Sequence, residues 1–323
     1  MKTKAFFKIT LLLLMLLMAS EVAAGKEWPN QPITIVVGWA VGGPGDLYTR
    51  ALAEDLTKRL GIPVLVENKL GGAGLISLNF VSKAKPDGYT LAQMSATAVT
   101  EKPFVMQVPF DPVKGFSYIC QMFYFGFGFA VRTEAPWKTF PEFVEAAKKQ
   151  PGKISVALGG LGGTQHVALA KLERKIPGLK LNVIPFKANV EAVTAVLGGH
   201  VDACFNTQEW KPYVDAGQLR LLAAPQKERW KEYPNVPTWL DLGYGIYAHS
   251  PAAYVAPPGL PEAIRNKLEQ EFKKSLEYPG IRRVVKELSI QESYKPGKEC
   301  YEELMKLYEE NKAIIPKMGL SLK

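Results

Sequence analysis

The sequence predicts an α/β protein of two lobes, each a mostly parallel sheet flanked by helices. Three observations carry this. Short apolar runs alternate with amphipathic stretches, the alternation falls into two blocks, and the first run of each block ends in a glycine-rich turn that opens a helix.

The chain opens as an export signal. Lys2, Lys4 and Lys8 precede the apolar run Ile9 to Met18, and Ala23, Ala24 and Gly25 supply the small residues of a cleavage site, so residues 1–24 are expected to be removed. The run is shorter than the roughly 20 apolar residues of a membrane span. No cysteine stands at the cleavage point to take a lipid anchor.

In the first block, ITIVV reads as a buried strand. Leu47, Ala51, Leu52, Leu56 and Leu60 then form one stripe of a helix, and PVLVE returns as a strand. GGAGLISLNFVSKA opens a second helix after glycines, and YTLAQMS supplies the next strand behind the turn Pro86-Asp87-Gly88. The aromatic run Phe123 to Phe129 follows and is expected to be core, because strands bury such side chains.

The second block repeats the logic with the strand KISVAL, the turn GGLGG and the helix TQHVALAKLER, in which Val167, Leu169, Ala170 and Leu172 are apolar. LNVIPF, NVEAVTAVLGG, VDACF, QEWKPYVDAG and LRLLAA continue as strand, helix, strand, helix and strand, with Gly199 and Gly217 as helix stops. In the tail, AAYVA is a strand, a helix starts at Pro261 with Leu268, Phe272 and Leu276 on one stripe, and CYEELMKLYEENKAII is a last helix. These tail helices need a sheet to cover. The chain is therefore expected to cross back, giving a discontinuous first domain (25–125 plus 251–323), a second domain (126–250) and a doubled, hinge-like connection.

Composition narrows the chemistry. The net charge of +9 suits anionic ligands, but the lysines are interspersed with glutamates and form no basic stripe with interleaved aromatics, so nucleic acid is not expected. Cys120, Cys204 and Cys300 lie far apart without metal-ligand spacing, and buried free thiols are expected rather than a disulfide. His166, His200 and His249 form no local ligand pair, and neither G-x-S-x-G nor H-E-x-x-H occurs, so no metal, no cofactor and no catalytic residue is assigned.

The two turns, GWAVGGPGD and LGGLGGTQH, carry most of the information. A helix N-terminus presents backbone N–H groups without intrahelical partners and a partial positive charge, and glycine lets a ligand approach the backbone. Ligands of open α/β sheets lie beyond the carboxyl ends of the strands, where both turns must sit. If the blocks face one another, the turns become opposite lips of one cleft for a carboxylate or phosphate. A nucleotide loop is disfavoured, since neither turn matches G-x-x-x-x-G-K-[ST]. Asp46 is expected to cap the first helix by accepting an N–H from Tyr48 or Thr49, leaving the Val41, Gly42 and Gly43 amides for a ligand. His166 either donates to an anion or caps its own helix. Trp39 stands at the strand end beside the first turn.

In their order and spacing, WPNQPITIVVGWAVGGPGDLYTRALAEDL, VENKLGGAGLISLNFVSKAKPDGYTL, GGLGGTQHVALAKL, VIPFKANVEAVTAVLGGHVDACF and YVAPPGLPEAIRNKL resemble the solute-binding receptors of tripartite tricarboxylate transporters, the Bug proteins. The likeness covers nearly the whole mature chain. It implies a periplasmic, monomeric receptor of the Venus flytrap type without catalytic activity, closing around a small organic anion and delivering it to membrane permease subunits. An orphan sensor receptor and an enzyme using the same cleft are the alternatives.

Carried onto this sequence, the resemblance selects Val41, Gly42, Gly43 and Asp46 from the first turn, and Gly162, Gly163, Thr164 and His166 from the second. Later loops add Ser95, Ala96 and Thr97, then Lys187, Ala188, Asn206 and Thr207. Where the family commonly has Pro-Phe before the first turn this chain has Gly38-Trp39, and where Tyr-Lys-Gly is common it has Phe186-Lys187-Ala188. Trp39 and Phe186 would enlarge the apolar wall, which points to an aromatic or otherwise hydrophobic carboxylate.

Overall fold

A computed structural model describes residues 27–320, so the export signal expected over residues 1–24 lies outside the described residues. The first block folds as β1 (Ile33–Val37), α1 (Pro44–Leu60), β2 (Val64–Asn68), α2 (Leu75–Ser82), β3 (Thr90–Ser95) and a single-turn α3 (Thr97–Thr100). β1 pairs in parallel with β2 and β3, and four of its five residues are buried, as expected of a strand covered on both faces. α1 starts with Pro44 in its first turn, where a missing N–H costs nothing, and stops at Gly61, whose φ of 68° suits only glycine well.

β4 (Ser117–Phe125) joins this sheet, and after Gly126 and Phe127 the chain enters the second sheet as β5 (Gly128–Arg132). There follow α4 (Phe140–Lys149), β6 (Ser155–Leu158), α5 (Thr164–Lys175), β7 (Asn182–Pro185), α6 (Asn189–Leu197), β8 (Ala203–Asn206), α7 (Lys211–Asp215) and β9 (Leu219–Ala223). The helix expected over QEWKPYVDAG is a 3₁₀ turn, Gln208–Trp210, followed by the short α7. Pro212 cannot donate an N–H back to that turn, so the α-helix begins only at Lys211.

β10 (Ser250–Ala256) lies back in the first sheet, between β3 and β4, and α8 (Glu262–Lys274), α9 (Pro279–Leu288), β11 (Gln291–Pro296) and α10 (Gly297–Ile314) complete the chain. The strand orders are β11-β4-β10-β3-β1-β2 and β7-β6-β8-β5-β9. Each sheet keeps a parallel half from its βαβ units. Antiparallel partners enter where the chain crosses between lobes, with β4 and β10 in the first sheet and β5 in the second.

Phe123, Phe125, Phe127 and Phe129 of the aromatic run are buried in the core, and Phe125 and Phe127 also border a cavity. Phe123 contacts Tyr48 at 4.5 Å between ring centroids, and Phe129 meets Phe140 and Phe143 edge-on at 5.0 and 4.7 Å. Cys120, Cys204 and Cys300 are buried and free. Leu268 and Phe272 of α8 and Leu304 of α10 are buried. Among the described residues no helix is long and apolar enough to cross a membrane, and no cluster of His, Cys, Asp and Glu is arranged to hold a metal.

Candidate functional site

A cavity of about 210 Å³ opens between the lobes, at the carboxyl ends of β1, β3, β6 and β8. The N-cap residues of three helices line it: Gly43 of α1, Gly163 of α5 and Ala188 of α6. None of these N-cap residues offers a side-chain acceptor to its helix, so the first-turn N–H groups are left uncapped and the partial positive charge of three helix ends converges on one space.

Of the residues selected from sequence, Trp39, Gly43, Ser95, Thr97, Gly163, Lys187, Ala188 and Thr207 line the cavity. Trp39 is held by donating from Nε1 to Gln93 Oε1 at 2.8 Å, and its ring meets Phe125 edge-on at 5.9 Å. Ser95 is buried and its Oγ has no hydrogen-bond partner among the described residues; Ser250 Oγ, also at the cavity wall, is in the same state.

The first turn differs from expectation in one respect. Asp46 is not the N-cap of α1: the helix begins two residues earlier, at Pro44, behind the extended Gly43. From the first turn of the helix, the fully buried Asp46 reaches back to accept the Gly42 N–H at 2.9 Å, with Arg50 Nε at 2.9 Å and Asn68 Nδ2 at 2.8 Å. The reason is Pro44, whose fixed φ and missing N–H favour the first helical position. Burial pushes the Asp46 carboxyl up, but Arg50, the Gly42 amide and Asn68 outweigh it and hold the group below its ordinary value. The Gly42 N–H is thereby used within the turn, and the Gly43 N–H donates to Ala40 O at 3.2 Å. Val41 is exposed, and neither it nor Gly42 lines the cavity.

The second turn behaves similarly. His166 Nδ1 accepts the Gly162 N–H at 3.0 Å, so the histidine closes its own turn and lines a separate surface hollow. Burial first, then the Lys102 charge, lowers its pKa, in keeping with a neutral acceptor ring. Thr164 is buried away from the cavity, with Oγ1 2.9 Å from Thr97 Oγ1 and 2.9 Å from Glu101 Oε2. Lys102 Nζ also crosses to the carbonyl of Leu161. These contacts tie the second lobe to the first. Burial pushes the Glu101 carboxyl up to about 7 and lowers the Lys102 ammonium. Ala96 and Asn206 are buried behind the wall, where Asn206 Oδ1 accepts the Gly159 N–H at 3.2 Å.

Sequence reasoning missed Phe125, Phe127, Asn189 and Glu209, all on the cavity wall. Glu209 accepts from Thr207 Oγ1 at 2.5 Å and from Asn189 Nδ2 at 3.4 Å, and burial raises its pKa. Its position two residues beyond Thr207, at the end of a strand, was the available signal.

A profile of the family described as "Tripartite tricarboxylate transporter family receptor" matches residues 48–320. A protein of Cupriavidus necator, described as "UPF0065 protein in gbd 5'region", is 37% identical over 299 residues, covering 93% of this chain and 91% of that protein. Among solved structures, the periplasmic binding protein BugD superposes with a TM-score of 0.83 at 27% identity, covering 92% of this chain and all of that one. MatC from Rhodopseudomonas palustris with bound malate superposes with a TM-score of 0.77 at 25% identity, covering 90% of this chain and 99% of that one.

Proposed function

The chain belongs to the tripartite tricarboxylate transporter receptor family, and from that premise we propose that it captures a small organic carboxylate between its lobes in the periplasm and delivers it to membrane permease subunits. It acts as a monomeric receptor and not as an enzyme. The observation that carries the reading is the convergence on one cavity of three helix N-termini whose N-cap residues supply no side-chain cap. Such termini favour a negative charge without a metal or a surplus of basic side chains. The malate in the MatC structure supports a carboxylate as that charge.

In this reading the ligand carboxylate lies at the ends of α1 and α5 and takes hydrogen bonds from the otherwise unpartnered Ser95 and Ser250 hydroxyls. Trp39, Phe125 and Phe127 form the apolar wall against its body. Phe186, expected beside Trp39, is not part of that wall and packs with the core under α6. Closure removes the anion from water and strengthens each of its hydrogen bonds.

A thermal-shift screen of organic acids tests the proposal, because a ligand at about 100 times its Kd adds about 2.7 kcal/mol of stability. Upward shifts with carboxylates and none with matched amides or alcohols are expected. A screen in which no carboxylate raises the melting temperature would overturn it.

A further inference from the structure

The cavity wall carries a feature that an anion site alone does not need. Glu209 places a carboxylate on it, and the hydrogen-bond partners of that carboxylate, Thr207 Oγ1 and Asn189 Nδ2, are neutral. Thr207 Oγ1 donates to Glu209 and so accepts from Asn189 Nδ2 at 2.8 Å, with Glu209 itself 3.4 Å from Nδ2; this fixes the amide with Nδ2 toward the pair and leaves Asn189 Oδ1 buried against Gly159 at the cavity wall, without a hydrogen-bond partner among the described residues. Although the exposed Lys187 lines the same side, Glu209 and Asn189 present acceptors next to α6, while the opposite side presents the unpartnered hydroxyls of Ser95 and Ser250, which can donate.

A ligand carboxylate would meet repulsion beside Glu209 and a shortage of donors beside Asn189 Oδ1. A group rich in N–H donors and carrying positive charge answers both. Through the side chain of Asn189, the first residue of α6, Glu209 also sets a carboxylate near one of the three helix ends. That leaves the ends of α1 and α5 for the ligand's own anion.

We propose that Glu209 and Asn189 form an acceptor subsite that selects carboxylates bearing an ammonium group at their far end and turns away dicarboxylates. This rests on the carboxylate-receptor reading above and narrows its substrate class to amino-carboxylates with an apolar middle, which the Trp39 and Phe125 wall accommodates.

Calorimetric titration of the purified chain with two matched sets tests it. The sets are hexanoate, 6-aminohexanoate and adipate, and butanoate, 4-aminobutanoate and succinate, which within each set differ only at the far end. The amino acid of at least one set should bind about tenfold more tightly than its unsubstituted partner, a difference typical of one charge-assisted contact, with the diacid weakest. Glu209→Gln should remove that preference and strengthen the diacid, and Asn189→Ala should reduce the preference independently. Equal or tighter binding of the diacids by the wild-type chain overturns the subsite while leaving the receptor reading intact. Binding of no acid from either set removes both.

Discussion

Thr164 Oγ1 on the second lobe donates to Glu101 Oε2 on the first over 2.9 Å, and both groups are buried. The threonine of the second glycine turn is thus a latch between lobes, and a ligand would feel it only through closure. Thr164→Ala would leave a buried acceptor short of a donor, at about 1–3 kcal/mol of the closed form. We expect carboxylate affinity to fall by about tenfold, with a larger radius of gyration for the ligand-free variant in small-angle scattering. Unchanged affinity together with an unchanged radius would show that the contact does not hold the lobes.

The same contact sets a pH dependence through Glu101. Its carboxyl ionises at about 7 in the folded protein against 4.5 ordinarily, because burial disfavours the charge more than Thr164, Lys171 and Thr97 favour it. Between those values the folded chain holds a proton that the unfolded chain has released, so stability falls as pH rises through that window and levels off above it. The span corresponds to on the order of 3 kcal/mol. Glu101→Gln should flatten this part of the curve and raise the melting temperature at pH 8 relative to wild type. Parallel melting curves for the two proteins from pH 5 to pH 8 would contradict the assignment.

Much of this was legible in the sequence, and the limits have physical causes. The alternation of ITIVV, PVLVE, KISVAL and VDACF with helical stripes gave the strands and helices of both lobes, because periodicity and buried apolar runs are local signals. β11 went unread because QESYKP is polar and only half-buried at a sheet edge, and its pairing with β4 is a long-range event. The glycine turns pointed to the region where the cavity lies, yet which amides stay free depends on hydrogen bonds such as Asp46 to Gly42 and His166 to Gly162, which local spacing does not reveal. Glu209 was passed over because a lone acidic residue after a strand looks like any solvated turn until Asn189, 20 positions away, is folded against it.

Asp46 makes the first turn rigid. Its carboxylate takes three donors while fully buried, so Asp46→Ala would strand the Gly42 N–H and the Asn68 amide and cost about 3 kcal/mol. Because its folded pKa is depressed, the contribution is present above the ordinary 3.8 and is lost as pH falls below it. Urea unfolding at pH 7 should show the full difference between wild type and variant, and the difference should narrow as the pH is lowered past 3.8. A variant as stable as wild type at pH 7 would mean that solvent replaces the carboxylate in this turn.

Trp39 should govern preference for the body of the ligand. Its indole is fixed at both ends, by Gln93 at Nε1 and by Phe125 against the ring, and a Cβ added at Gly45 would stand 3.0 Å from its Cδ1, so the ring has little room to move. A rigid apolar wall rewards ligands that cover it, at roughly 25 cal/mol per Å² of apolar surface removed from water. Trp39→Ala should therefore weaken hexanoate or a phenyl-bearing acid by about 1–2 kcal/mol, the worth of part of one large side chain, and leave acetate nearly unchanged. Trp39→Phe should recover most of the loss, because it restores the apolar face while giving up the bond to Gln93. Titration of the three proteins with acids of increasing chain length checks this: the slope of binding free energy against length should be shallower in Trp39→Ala alone. Equal slopes in all three would place the ligand body against Phe127 and the second lobe, away from the indole.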